Sequence, residues 1–205
     1  MRATVATLSA MFLVGAWGFQ SEPQTFVVRT DADTVAVEHL TRTANTLTGD
    51  LHLFEEKTNV HYVLHLRPDG STETAEVANE RPNFFSGLIV FGAPVNVGQS
   101  GAAQRLVRVP GDLLPVIGTS MGLIDYLIRL HTPGIGETVD IRAINIRNGL
   151  PGRVTIKRFA RDSMLVDCNT CMRRRETEEL RIGLSRDGGI DGAARIEQHW
   201  TVGHR

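Results

Sequence analysis

Cysteine is nearly absent: the 205 residues include only Cys168 and Cys171, too few for the disulfide framework that holds small secreted domains together. The fold must therefore rest on an apolar core. Charge of one sign is also lacking. Lys and Arg number 22 against 23 Asp and Glu, for a formal net charge of −1, and this balance argues against a dedicated nucleic-acid binder, whose basic footprint shows in the total. No stretch of roughly 20 apolar residues is present to cross a bilayer. Internal repeats and low-complexity segments are missing as well.

What the sequence does have begins at its N-terminus. Met1 and Arg2 supply a positive start, and an uncharged stretch follows from Ala3 to Phe19, broken by Gly15 and Gly18. That layout is expected of a secretory signal peptide rather than a membrane span. Ala16 and Gly18 fit a small-x-small cleavage site, so residues 1–18 are read as the signal peptide and 19–205 as a single β-rich domain. The expected location is secreted or periplasmic. In such a compartment Cys168 and Cys171, spaced as CxxC, are expected to oxidise together across a short turn.

From Thr25 to Glu80 the chain reads as a β-meander. Strand-like runs at Phe26–Arg29, Thr34–Arg42, Thr46–Phe54, Asn59–Arg67 and Ser71–Val77 alternate with Asp-, Asn- and Gly-bearing turns. Leu47, Leu51 and Leu53 share one face with Gly49, and Val60, Tyr62, Leu64 and Leu66 form the next. Ala36 and Leu40 continue that face, with Glu38 as an exception among them. A side-chain period of two makes this a one-sided sheet.

The middle differs. Arg81 to Gln104 reads as irregular chain around a short strand, Leu88–Phe91. A helix is predicted over Ser120–His131, where Leu123, Ile124, Leu127 and Ile128 keep helical spacing and Thr132-Pro133-Gly134 ends it. Strands return at Glu137–Arg147, Arg153–Phe159, Met164–Cys168, Thr177–Leu184 and Ala193–Val202. The expected fold is mainly β with one principal helix: a large curved or barrel-like antiparallel sheet packed around it.

The runs Thr34-Val35-Ala36-Val37-Glu38, Leu66-Arg67-Pro68-Asp69-Gly70 and Leu184-Ser185-Arg186-Asp187-Gly188-Gly189-Ile190 resemble uncharacterised exported bacterial β-domain proteins. That resemblance implies a curved sheet similar in layout to lipoprotein carriers or lipocalins. It lends no catalytic residue.

Three constellations could carry chemistry. Gly118-Thr119-Ser120-Met121-Gly122 matches the G-x-S-x-G elbow of a serine hydrolase, with Asp140 or Asp167 and His199 following in a permitted order. Pro115 would interrupt the strand before it, and Ser120 has a plainer role as a helix N-cap. The second is a histidine face. If Phe54 pairs with Asn59, and Leu40 with Leu47, then His52 faces His61 and Thr48 faces His65, and His39, Asp50, His52, His61 and His65 share the polar side of three strands as candidate metal ligands. A solvated polar face is the simpler reading, and a change of register moves the pairing. The charges of Arg173-Arg174-Arg175-Glu176-Thr177-Glu178-Glu179 cancel and read as a solvated hairpin tip.

The third is apolar. The helix with Leu123 and Leu127 either fills the core or lids a cavity under the curved sheet, whose mouth Phe84, Phe85 and Phe91 would line. No cofactor is implied. The favoured expectation is a non-enzymatic domain that binds an apolar small molecule or a cell-envelope protein, with a hydrolase using Ser120 second and a metal-binding histidine face third.

Overall fold

A computed structural model of the chain describes residues 23–30, 33–92, 96–100, 104–168, 178–186, 188–195 and 200–204. The expected signal peptide, Cys171, the Arg173–Arg175 run and His199 lie outside them. The elements are β1 (Gln24–Thr30), β2 (Asp33–Arg42), β3 (Thr46–Leu53), β4 (Thr58–Leu66), β5 (Thr72–Asn79), β6 (Gly87–Phe91), β7 (Asn96–Ser100), β8 (Gln104–Val109), β9 (Leu114–Val116), α1 (Met121–Leu130), β10 (Thr138–Asn145), β11 (Leu150–Ala160), β12 (Ser163–Cys168), β13 (Glu178–Leu184), β14 (Ile190–Arg195) and β15 (Trp200–His204).

All the strands join one sheet in the order β7-β8-β6-β5-β4-β3-β2-β1-β15-β14-β13-β12-β11-β10-β9. It curls into a half-barrel with α1 as its helix. β1 pairs with β2 on one side and β15 on the other, joining an N-terminal and a C-terminal meander. Two pairs depart from the antiparallel expectation: β6 runs parallel to β8, and β9 parallel to β10. The segment read as irregular before Gln104 contains β7, and the single strand expected over Ala193–Val202 is divided between β14 and β15. Pro115 sits in β9 at the sheet's edge, where its missing N–H removes no ladder bond from a central strand.

The faces expected for the first meander are observed. Ala36, Leu40, Leu47, Leu51, Leu53, Val60, Tyr62, Leu64 and Leu66 are buried in the core. The register is corrected by two residues in each of two hairpins. Leu53 pairs with Thr58, so the turn is Phe54–Lys57 with Lys57 in the left-handed region (φ 48°). Thr43 closes the preceding turn on Thr46, which sets Leu40 against Gly49 rather than Leu47. A shift of two leaves every side chain on its expected face but changes its cross-strand partner.

The helix is fixed by polar groups of distant strands. Ser120 is its N-cap, accepting from the Leu123 amide at 3.1 Å, and no acidic residue occupies the first turn. The carboxylate that meets the helix N-terminus comes instead from β2. Glu38, the exception on the apolar face, is fully buried and accepts from the Gly122 amide at 2.8 Å, from Tyr62 Oη at 2.6 Å and from Ser120 Oγ. Toward the other end, Tyr126 Oη donates to the Gly70 carbonyl at 2.9 Å and bonds Thr72 Oγ1 at 2.8 Å. Asp125 accepts from the Ile190 amide at 3.0 Å and from Arg129 at 2.7 Å. The helix thus ties β2, the β4–β5 turn and β14 together.

Burial raises the pKa of Glu38 above its ordinary value, opposed by the bonds from Gly122, Ser120, Tyr62 and Met121. The folded protein therefore holds this proton over a pH range in which the unfolded chain has lost it. The stability contributed by Glu38 is full below the unfolded pKa and falls as pH rises through the folded one. Chemical denaturation across the acid-to-neutral range should show the native protein losing stability relative to Glu38→Gln as pH rises. Glu38→Leu, which removes the acceptor of the Gly122 amide and of the Tyr62 and Ser120 hydroxyls, should lose about 2–4 kcal/mol.

Candidate functional site

The two ends of the half-barrel differ. One end carries the β5–β6 connection and the β3–β4 and β10–β11 turns. Arg147, largely buried, forms an ion pair with Glu56, with one bond at 3.0 Å, and stacks 3.9 Å from the centroid of the Phe84 ring. The Phe85 amide donates to the Arg147 carbonyl at 2.9 Å, and Phe85 is buried. Of the three aromatics expected at a mouth, Phe84 and Phe85 sit at this end beside Arg147. Phe91, Leu123 and Leu127 are packed into the core. None of the five lines the clefts described next.

The opposite end carries the β2–β3, β4–β5, β11–β12 and β13–β14 turns and the C-terminal end of α1. A cleft of about 970 Å3 opens here, with Leu40, Leu66 and Leu130 among its apolar lining and Arg42, Asp69, Asp125 and Arg129 among its polar lining. Leu40 and Leu66 are core residues whose inner-face positions reach the end of their strands. Arg42 is the next inward-facing residue of β2 after Leu40 and is half-buried. Beside it is a second cleft of about 610 Å3, lined by Thr132, Arg158, Arg161, Asp162, Leu184, Ser185, Arg186 and Gly188. Thr132 and Gly188 border both. Sequence reasoning missed this end because its lining comes from separate turns. The alternation of β2, running inward to Arg42, was the available signal.

Ser120 is fully buried. Its hydroxyl meets Glu38, the Leu123 amide and, at 3.3 Å, Tyr62 Oη, with no histidine among these partners. A strand and a helix do flank it, but β9 is an edge strand rather than the central one of a hydrolase elbow. Asp140 is exposed on β10, accepting from Thr155 at 2.6 Å, and Asp167 is on β12. Gly122 has its own explanation. A Cβ there would stand 2.6 Å from Leu40 Cδ1 and 3.1 Å from Tyr62 Oη. The glycine lets the first helical turn approach the sheet closely enough for its amide to reach Glu38.

The histidines occupy the outer face, but the corrected register moves His52 away from His61 and sets Asp50 between His39 and His61. His52 is opposite Asn59 and bonds its side chain, while His61 is opposite Asp50, with Nδ1 to Oδ1 at 2.7 Å. His65 approaches Glu76 at 3.6 Å and His39 meets Thr25 at 3.0 Å. Each has a partner of its own. Among the described residues no group of three His, Cys, Asp or Glu side chains could hold a metal ion. Cys168 is buried at the end of β12. No helix among the described residues is long and apolar enough to cross a membrane.

Two substitutions separate the capping role of Ser120 from a catalytic one. Ser120→Ala should cost about 1–2 kcal/mol in denaturation, and a fluorophosphonate probe should leave the native protein unlabelled. Labelling that vanishes in Ser120→Ala would establish a nucleophile. Gly122→Ala gains roughly 1 kcal/mol of helix propensity but overpacks Leu40 and Tyr62 at a cost of about 1–3 kcal/mol, so its unfolding midpoint should fall.

No family model matches the chain, and no curated protein matches it. Among solved structures it is similar to the crystal structure of a DUF1089 family protein from Pseudomonas aeruginosa, with 14% identity, a TM-score of 0.51, and coverage of 92% of this chain and 95% of that one. At this identity the likeness concerns the fold: a β-rich chain with a curved antiparallel sheet.

Proposed function

We propose that this protein is an exported, non-enzymatic binding domain that receives an apolar molecule at the helix's C-terminal end of the half-barrel. One observation carries the reading: the inner face of the sheet, with Leu40 and Leu66, runs out into an open cleft beside Leu130 at the end held by the Tyr126 and Asp125 bonds. A concave site with an apolar floor and a few polar groups at its rim suits a small ligand. The clefts lie on turns carried by a rigid sheet, a common arrangement for binding sites. The apolar N-terminal stretch after Arg2 supports export. An oxidising compartment would in turn suit a bridge between Cys168 and Cys171.

A hydrophobic dye reports on this directly. N-phenylnaphthylamine should brighten with the native protein, and Leu130→Gln should weaken its binding about tenfold while the protein stays folded by circular dichroism, since Leu130 is half-buried at the edge of the core. Organic extracts of protein purified from its native envelope should contain a stoichiometric apolar compound by mass spectrometry. A native protein that neither brightens the dye nor carries such a compound, yet captures an envelope protein, would replace the small ligand with a protein partner.

A further inference from the structure

We infer that the molecule received at this end is an anionic amphiphile, its chain over Leu40, Leu66 and Leu130 and its phosphate-type head in the second cleft between Arg158, Arg161 and Arg186. The inference rests on the apolar cleft proposed above and names its ligand class. The first support is the state of the arginines. Arg158 is half-buried and gives one N–H from each of its three nitrogens to neutral backbone carbonyls, Ala160 at 3.1 Å, Pro133 at 3.3 Å and Arg161 at 2.7 Å, keeping a second N–H on each terminal nitrogen. These bonds fix the guanidinium plane without cancelling its charge. Arg161 and Arg186 are exposed and make no side-chain hydrogen bond or ion pair with a described residue.

Among the described carboxylates nearby, one faces the cleft and the others are engaged elsewhere. Asp125 is committed to Arg129 and the Ile190 amide, Asp69 accepts from Ser71 within its own turn, and Glu137 accepts from the Gly134 amide at 2.9 Å. Asp162 lines the cleft as the acidic member among its described residues. Arg42 adds a half-buried guanidinium to the neighbouring cleft, also without a described partner.

Geometry joins the two halves. The apolar-floored cleft and the arginine-lined cleft meet at Thr132 and Gly188, so a single-chain molecule can lie across both. Guanidinium forks match the oxygens of a phosphate, and a concave setting concentrates their field. A wholly apolar ligand would leave these charges unused, and a free anion would make no use of the apolar lining beside Leu130.

The test titrates the native full chain, by calorimetry near physiological salt and below micelle-forming concentrations, with dodecyl phosphate, with an uncharged dodecyl polyoxyethylene ether and with inorganic phosphate alone. Dodecyl phosphate should bind at least tenfold more tightly than the uncharged ether. The double variant Arg161→Gln/Arg186→Gln, altered only at exposed positions, should lose that preference while still brightening N-phenylnaphthylamine. Equal affinity for both amphiphiles, or a preference that survives in the double variant, would overturn the anionic head while leaving the apolar cleft standing. Failure of both amphiphiles and of the dye would overturn both readings. Inorganic phosphate binding as tightly as dodecyl phosphate would make this a free-anion site and overturn the amphiphile.

Discussion

A carboxylate in an apolar interior is expensive unless each lone pair finds a donor and the local field favours negative charge. Glu38 meets these conditions in part because α1 begins directly beneath it, although burial still lifts its pKa above the ordinary value. The Gly122 amide and the Ser120 and Tyr62 hydroxyls converge on its two oxygens, and the helix dipole presents its positive end there. The dependence is mutual. The helix has no acidic residue in its first turn, so its exposed amides rely on a strand 82 residues earlier in the chain. Gly49 and Gly122 follow from the same constraint. A Cβ at Gly49 would lie 2.2 Å from the Tyr62 ring, so this position must stay bare for the tyrosine to lie flat and reach the carboxylate.

This arrangement also accounts for the hydrolase-like spacing around Ser120. A strand, a tight turn, a serine and a helix flanked by small residues meet two different needs. In a nucleophile elbow the small residues permit strain that exposes the serine. In this fold Gly122 permits close approach of helix to sheet, and the serine turns inward to cap it. Similar local composition produces opposite exposure, and what decides between them is Glu38, far away in the sequence.

Much of the fold was legible because it is periodic. Alternation over Leu47–Leu53 and Val60–Leu66 assigned the inner faces, and helical spacing over Leu123–Ile128 located α1 within a residue at either end. Less was legible where geometry depends on one turn. Lys57 adopting a left-handed conformation moved the hairpin register, and with it went the expected facing of His52 and His61. Parallel pairing of β6 with β8 and of β9 with β10 left no local signature, since neither strand of such a pair needs a hairpin turn to its partner. The candidate site was the least legible part. Its lining is gathered from turns whose sequences reveal polarity but not proximity. Glu38, by contrast, was visible as the misplaced residue on an apolar face, and such conflicts between pattern and residue type often mark where a fold has a special requirement.

The pairing of β1 with β15 has a consequence for how the chain reaches this state. The strand at the start of the described chain completes its hydrogen bonding only once the strand at its end has been synthesised. Until then the two curved ribbons each present an unpaired edge and are joined through α1, by its bonds to β2 and β14. Contacts of such long sequence separation close late and slowly.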